Sequence, residues 1–209
     1  MIFADPILIA LRIPALLIAV SFHEFAHARV AYYFGDSTAK RQGRMNLNPI
    51  NHLDPIGTIM ILLVGFGWAK PVPINPYNFN NYRRGIRWVS FAGPLSNLLL
   101  AFLSLFIYYS LAKYGIGGGL FDQFMEVLVR LNVFLAIFNM IPIPPLDGSK
   151  ILMSFLPAAY LHIYRQIEQY APIILIILIV TRAFGVILYP LANAILRFYN
   201  FIIFAILGI

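Results

Sequence analysis

The segment His23-Glu24-Phe25-Ala26-His27 has the pattern H-E-x-x-H. On a helix, four residues advance about 400° and 6 Å, so both imidazoles stand on one face and can grip one ion. Zinc accepts neutral imidazole nitrogens, and a catalytic zinc site uses three protein ligands with water in the fourth position. Glu24 flanks the same face and can take a proton from that water. The bare pattern also arises as two helix-surface histidines in soluble proteins or as a b-type haem pair, so its setting decides. Here it continues an apolar run, Pro6 to Phe22, whose only charge is Arg12. An ionisable residue at the middle of a membrane costs about 2.5–3.5 kcal/mol on insertion scales, and a bound cation compensates for several together.

A third ligand has four candidates: His52, Asp54, Asp147 and His162. Asp147 lies in PPLDG, where prolines restrict the backbone and Gly148 permits a tight turn; its plain alternative is an N-cap for the next helix. Asp54, in NHLDPIG, reads most simply as the cap of the segment after it. His162 reads as an interfacial histidine.

The elements that position these residues are apolar. Of 209 residues, 61% are hydrophobic and 11% charged, against about 45–50% and 25% in soluble domains, and the mean hydropathy is +0.81. The expected fold class is therefore an all-α polytopic membrane protein of five or six helices. It is read as one integral-membrane domain over 1–209, with a catalytic core at about 6–150 and C-terminal helices at about 151–209. The net charge of +7 comes from scattered bases beside apolar runs, which suits lipid contact and orientation rather than nucleic acid. The absence of cysteine excludes disulfides, thiolate ligands and a cysteine nucleophile. The first run opens with Asp5 rather than a basic region, so it is expected to be a retained helix and not a signal peptide.

The first helix is expected to run through Tyr33 and stop at Gly35-Asp36. Polar segments at 40–55 and 70–87 flank a 15-residue apolar stretch, Pro55 to Ala69. Both polar segments are basic (Lys40, Arg41 and Arg44; Lys70, Arg83, Arg84 and Arg87), and the positive-inside rule puts both in the cytoplasm. The stretch near 55–80 is then re-entrant or β-like on the cytoplasmic side. Trp88 to Ala112 is the clearest spanning helix, Phe121 to Pro142 returns, and Ile151 to Glu168 lies near the interface, broken by Pro157. The tail after Tyr170 reads as two helices joined near Ala183–Gly185. This topology brings Asp147 to the depth of His23 and His27, in a cell membrane with the site towards the cytoplasm.

HEFAH, GPLSN at 93–97 and FNMIPIPPLDG at 138–148 together resemble the site-2 protease family of intramembrane zinc proteases, and NPINHLDPIGT and GWAKPVPINP are similar to its compact prokaryotic members. The resemblance covers roughly residues 15–155. It implies one Zn²⁺ held by His23, His27 and Asp147, Glu24 as general base, and Asn139 as a hydrogen-bonding group for the substrate backbone. It also implies a substrate that is a transmembrane segment of another protein. Gly93 and Asn97 match a small-x-x-x-Asn pattern, read as close helix packing. The chain departs from the family in carrying Ser149 where a second glycine is common, and no PDZ or CBS module is recognised.

Two further expectations concern mechanism. In Lys70-Pro71-Val72-Pro73-Ile74, both prolines fall on one edge of a strand, leaving the N–H groups of Lys70, Val72 and Ile74 to pair with an unwound substrate. Two rival readings are a transporter or channel using the His/Glu/Asp cluster as an ion or proton site, and a catalytically silent homologue, against which intact Glu24 argues. Substrate identity, trigger and oligomeric state are not legible.

Overall fold

Helix α1, Pro6–Tyr33, is built of Leu, Ile and Ala with Pro14 in its first half. Its inward seam is Ala15, Ala19, His23, His27 and Ala31, one residue every four, while Ile7, Ile13 and Phe22 face outward. Alanines every turn let a neighbouring helix approach closely, which is how apolar helices associate where lipid offers no hydrophobic drive. The computed structural model describes residues 6–57, 68–181 and 183–209.

Two single-turn helices follow, α2 at Thr38–Arg41 and α3 at Pro49–His52. The neighbour of α1 is α4, Tyr82–Lys113, whose buried face is also small: Gly85, Ser90, Ala92, Gly93, Asn97, Ala101 and Ser104. The polar loop is expected to run to Arg87, but the helix begins six residues before Trp88 because the Asn81 side chain accepts the Arg84 N–H at 3.0 Å, capping it. Helix α5, Gly119–Asn139, packs on both. Then come α6 (Asp147–Phe155), α7 (Leu161–Glu168), α8 (Ala171–Val180) and α9 (Ala183–Leu207). Ala101 of α4, Val129 and Val133 of α5 and Ala192 of α9 form one apolar core.

The all-α membrane class holds: α1, α4 and α9 are each long and apolar enough to cross a bilayer. α5, at 21 residues, is about 31 Å long but carries Asp122, Glu126 and Arg130. The break in the tail falls between Val180 and Ala183, and Gly185 lies inside α9 rather than at the joint. Of the stretch near 55–80, residues 58–67 lie outside the described residues. Its ends, however, meet: Leu53 and Ala69 form an antiparallel bridge, and the Lys70 N–H donates to His52 O at 2.9 Å. The two basic loops are also tied together, through Arg44 to Lys70 O and Asp36 to Asn75 and Asn78.

Candidate metal centre

At 1.5 Å per residue, His27 and His23 lie about 9 and 15 Å from the C-terminal end of α1. Val89 and Gly93 of the antiparallel α4 lie at matching depths from its N-terminus. The α1 imidazoles therefore face α4 where it carries glycine. A Cβ at position 93 would run into His27 Nε2 and stand 2.6 Å from His23 Nε2. Gly93 does serve close approach, and what approaches is the histidine pair.

Asp147 arrives from α6. The turn before it folds tightly: a Cβ on Gly148 would collide with Met140 O and stand 2.7 Å from Ile141 O. Ser149, in place of a second glycine, is buried and its hydroxyl donates to Leu146 O at 2.6 Å. The Asp147 Oδ2 atom lies 3.1 Å from His23 Nε2 and 3.0 Å from His27 Nε2, which are 3.0 Å from each other. Lys150 Nζ takes the other carboxylate oxygen at 3.3 Å.

Both outer ring nitrogens are engaged. His23 Nδ1–H donates to Asn97 Oδ1 at 2.6 Å, and His27 Nδ1–H donates to Val89 O at 2.7 Å. A proton on each Nδ1 leaves each Nε2 a bare lone pair. Two such nitrogens and a carboxylate oxygen then converge within 3.1 Å, all three residues buried. Buried acceptors without a donor are costly, and a cation resolves the conflict. Tetrahedral zinc ligands at about 2.0–2.1 Å stand roughly 3.3 Å apart, so the triangle is close to the size required. The donor set, two imidazoles and one carboxylate, suits zinc and leaves a fourth position.

Of the four candidate third ligands, only Asp147 joins the histidines among the described residues. His52 is wholly buried elsewhere, with Nε2 bonded to Asn46 O at 2.8 Å. Asp54 caps the next turn, accepting the Gly57 N–H at 2.8 Å. His162 is exposed.

Glu24 and Asn139 line the same cavity as the three residues, a space of about 620 Å³ also bounded by Val72, Phe79 and Met153. Asn139 ends α5 and its amide donates back to Leu135 O at 3.0 Å, which leaves its second N–H and its oxygen. Glu24 Oε2 accepts the Val72 N–H at 2.8 Å. This corrects the strand expectation. The N–H groups of Lys70 and Val72 are spent within the chain, on His52 O of α3 and on Glu24 of α1. The sequence reading also missed Asn97 and Asn132 as neighbours of the site. The small-x-x-x-Asn pattern points to packing at Asn97, and Asn132 carries no signal beyond being an amide in an apolar helix.

The loop that carries Val72 is anchored by Asp36, which accepts from Thr38 N and Oγ1, Asn75 N and Asn78 Nδ2. Burial alone would raise its carboxyl, but these hydrogen bonds outweigh burial and hold it below the usual carboxylate range.

Comparison with known proteins gives matches of one kind. Peptidase family M50 matches residues 118–181, the segment containing Asn139 and Asp147. A provisionally named zinc metalloprotease of Bacillus subtilis, YwhC, is 45% identical over 185 residues, covering 86% of this chain and 84% of its own. The similarly named Rip2 of Mycolicibacterium smegmatis is 30% identical over 173 residues, 80% of this chain and 65% of that one. One from Methanocaldococcus jannaschii is 33% identical over 131 residues, 63% of each. No solved structure gives a significant match.

Proposed function

The chain belongs to peptidase family M50, the site-2 protease family, and from that premise we propose that it is an intramembrane zinc endopeptidase whose ion is held by His23, His27 and Asp147. A metalloprotease with zinc as cofactor is what the family and the relatives' names describe; they lend no support to a transporter or channel. The observation that carries the ligand assignment is the triangle of two imidazole Nε2 atoms and a carboxylate oxygen, 3.0–3.1 Å apart. Bound there, zinc supplies a Lewis acid for a scissile carbonyl and an acidified water.

Glu24 is the general base. The Val72 N–H fixes Oε2 at 2.8 Å, leaving Oε1 to take the water's proton and return it to the leaving amine. Asn139, with one N–H spent on Leu135 O, offers the other to a substrate carbonyl. The substrate is a transmembrane segment of another protein. Its helical carbonyls are engaged in hydrogen bonds, so a few residues must unwind to enter the cavity. Lys40, Arg41, Arg44 and Lys70, with Arg83, Arg84 and Arg87 in the first turns of α4, lie at the cavity end of the bundle, which supports a multi-pass orientation with the site facing the cytoplasm.

Zinc quantification beside cleavage of a model transmembrane substrate tests this reading. Glu24→Gln should keep stoichiometric zinc and lose cleavage by about 10²–10⁴-fold, whereas Asp147→Ala should lose both. Wild-type protein purified under zinc-replete conditions without the metal would refute it.

A further inference from the structure

Behind His23 runs a chain of buried amides that joins three helices. Asn97 of α4 and Asn132 of α5 are both 0% exposed, in the part of the bundle where an unpaired polar group is most costly. Asn97 Oδ1 accepts from His23 Nδ1–H at 2.6 Å. Its Nδ2 donates twice, to Ala19 O of α1 at 2.9 Å and to Asn132 Oδ1 at 2.8 Å. Asn132 Nδ2 in turn donates to Leu128 O of its own helix at 2.8 Å.

The direction of this chain is not arbitrary. An amide can be turned end for end, and with its nitrogen towards His23 it would impose the opposite tautomer, putting the proton on Nε2 among the other acceptors. Two acceptors hold the Asn97 nitrogen away from His23, one from α1 and one from α5. Asn132 is itself oriented by Leu128 O, so its oxygen must face Asn97. We infer that Asn97 and Asn132 are positioning residues that set the His23 tautomer, Asn97 directly and Asn132 by fixing which way the Asn97 amide points. α5 thus governs the metal centre through Asn132, whose side-chain hydrogen bonds go to Asn97 and Leu128 O and not to a ligand. This rests on the zinc reading above, and it extends that reading from the ligands to what makes one of them a ligand.

The two readings fail differently in one experiment, zinc affinity by chelator competition on full-length protein in detergent, independent of cleavage. Wild type should bind tightly, and His23→Ala should lose zinc. Absence of binding in wild type, or no change in His23→Ala, would bring down the metal centre and this inference together. Given those two results, Asn97→Ala should bind about 10–100-fold more weakly, the range found when an outer-shell partner is removed.

Asn132→Leu should weaken binding less, about 3–10-fold, since it removes only the orienting contact. Asn132→Asp should restore near-wild-type affinity, because either protonation state presents an acceptor oxygen to Asn97 Nδ2. In the double variant Asn97→Ala with Asn132→Leu, the second change should add nothing to the first. Wild-type affinity in Asn132→Leu, equal loss in Asn132→Leu and Asn132→Asp, or additive losses in the double variant would each reduce Asn132 to a packing residue and overturn the inference. Should Asn97→Ala fail to fold, the two Asn132 variants still decide it.

Discussion

His23, His27, Asn97 and Asn132 stand on three long helices that meet through alanine and glycine, whereas across the cavity the chain from Val72 to Phe79 is irregular apart from one short turn and is held by hydrogen bonds to Glu24 and Asp36. On the first wall a side chain moves only if a helix moves. On the second, a few bonds decide where the backbone lies. A metal site needs ligands placed to a few tenths of an ångström, and a substrate must enter and leave. The rigid wall therefore suits the ligands, and the bonded loop suits the face that a substrate meets.

Two glycines of α4 put that contrast to its sharpest test. A Cβ on Gly93 meets the His23 and His27 rings, and a Cβ on Gly85 meets the Phe79 side chain of the loop. Gly93→Ala should displace the imidazoles and lower zinc affinity by at least about tenfold, the low end of what disturbing a ligand's support costs. Gly85→Ala should leave zinc content unchanged and alter the loop alone. Chelator competition on both variants checks this, and equal effects would erase the distinction between the walls.

A smaller effect is expected at Val72. Val72→Pro removes the N–H that holds Glu24. A hydrogen bond to a charged group is worth about 1.5–3 kcal/mol, so cleavage should fall about 10–100-fold with zinc content intact. Parallel loss of zinc would show that the loop supports the ligands as well.

The smallest effect is at the Asp36 anchor and depends on pH. Its folded carboxyl lies below the unfolded value of about 3.9, so its contribution is present above that value and fades as pH falls through the depressed one. Exchange protection of the Asn75 amide, corrected for intrinsic rate, should be full near neutrality and decline below about pH 4. Asp36→Asn should lower protection at neutral pH and flatten the dependence, with zinc affinity unchanged. A flat profile in the wild type would show that other contacts hold the loop.

Much of this was legible beforehand because the signals were local or nearly so. Helices α1 and α4 follow from long apolar runs, and the pairing of His23 with His27 follows from helical period alone. The choice of Asp147 over His52, Asp54 and His162 needed topology, and there the positive-inside count and the family resemblance pointed the same way. The start of α4 is not legible in the sequence because Arg83, Arg84 and Arg87 make its first turns look like loop, while the cap that begins them is a single Asn81 side chain. Nothing in the one-dimensional pattern separates the Val72 N–H as a donor to Glu24 from a free strand edge, since both have the same proline spacing.

By itself, then, the sequence determined the membrane class, the types of the candidate ligands and the helix that carries two of them, because hydropathy and the 3.6-residue period act over short stretches of chain. Only the tertiary structure decided which groups face the outer ring nitrogen of each imidazole. That depends on Asn97, Asn132 and Val89, which lie 62 to 109 positions from the histidines they serve. The hydrogen bonds concerned exist only once three helices have packed to within reach of one another.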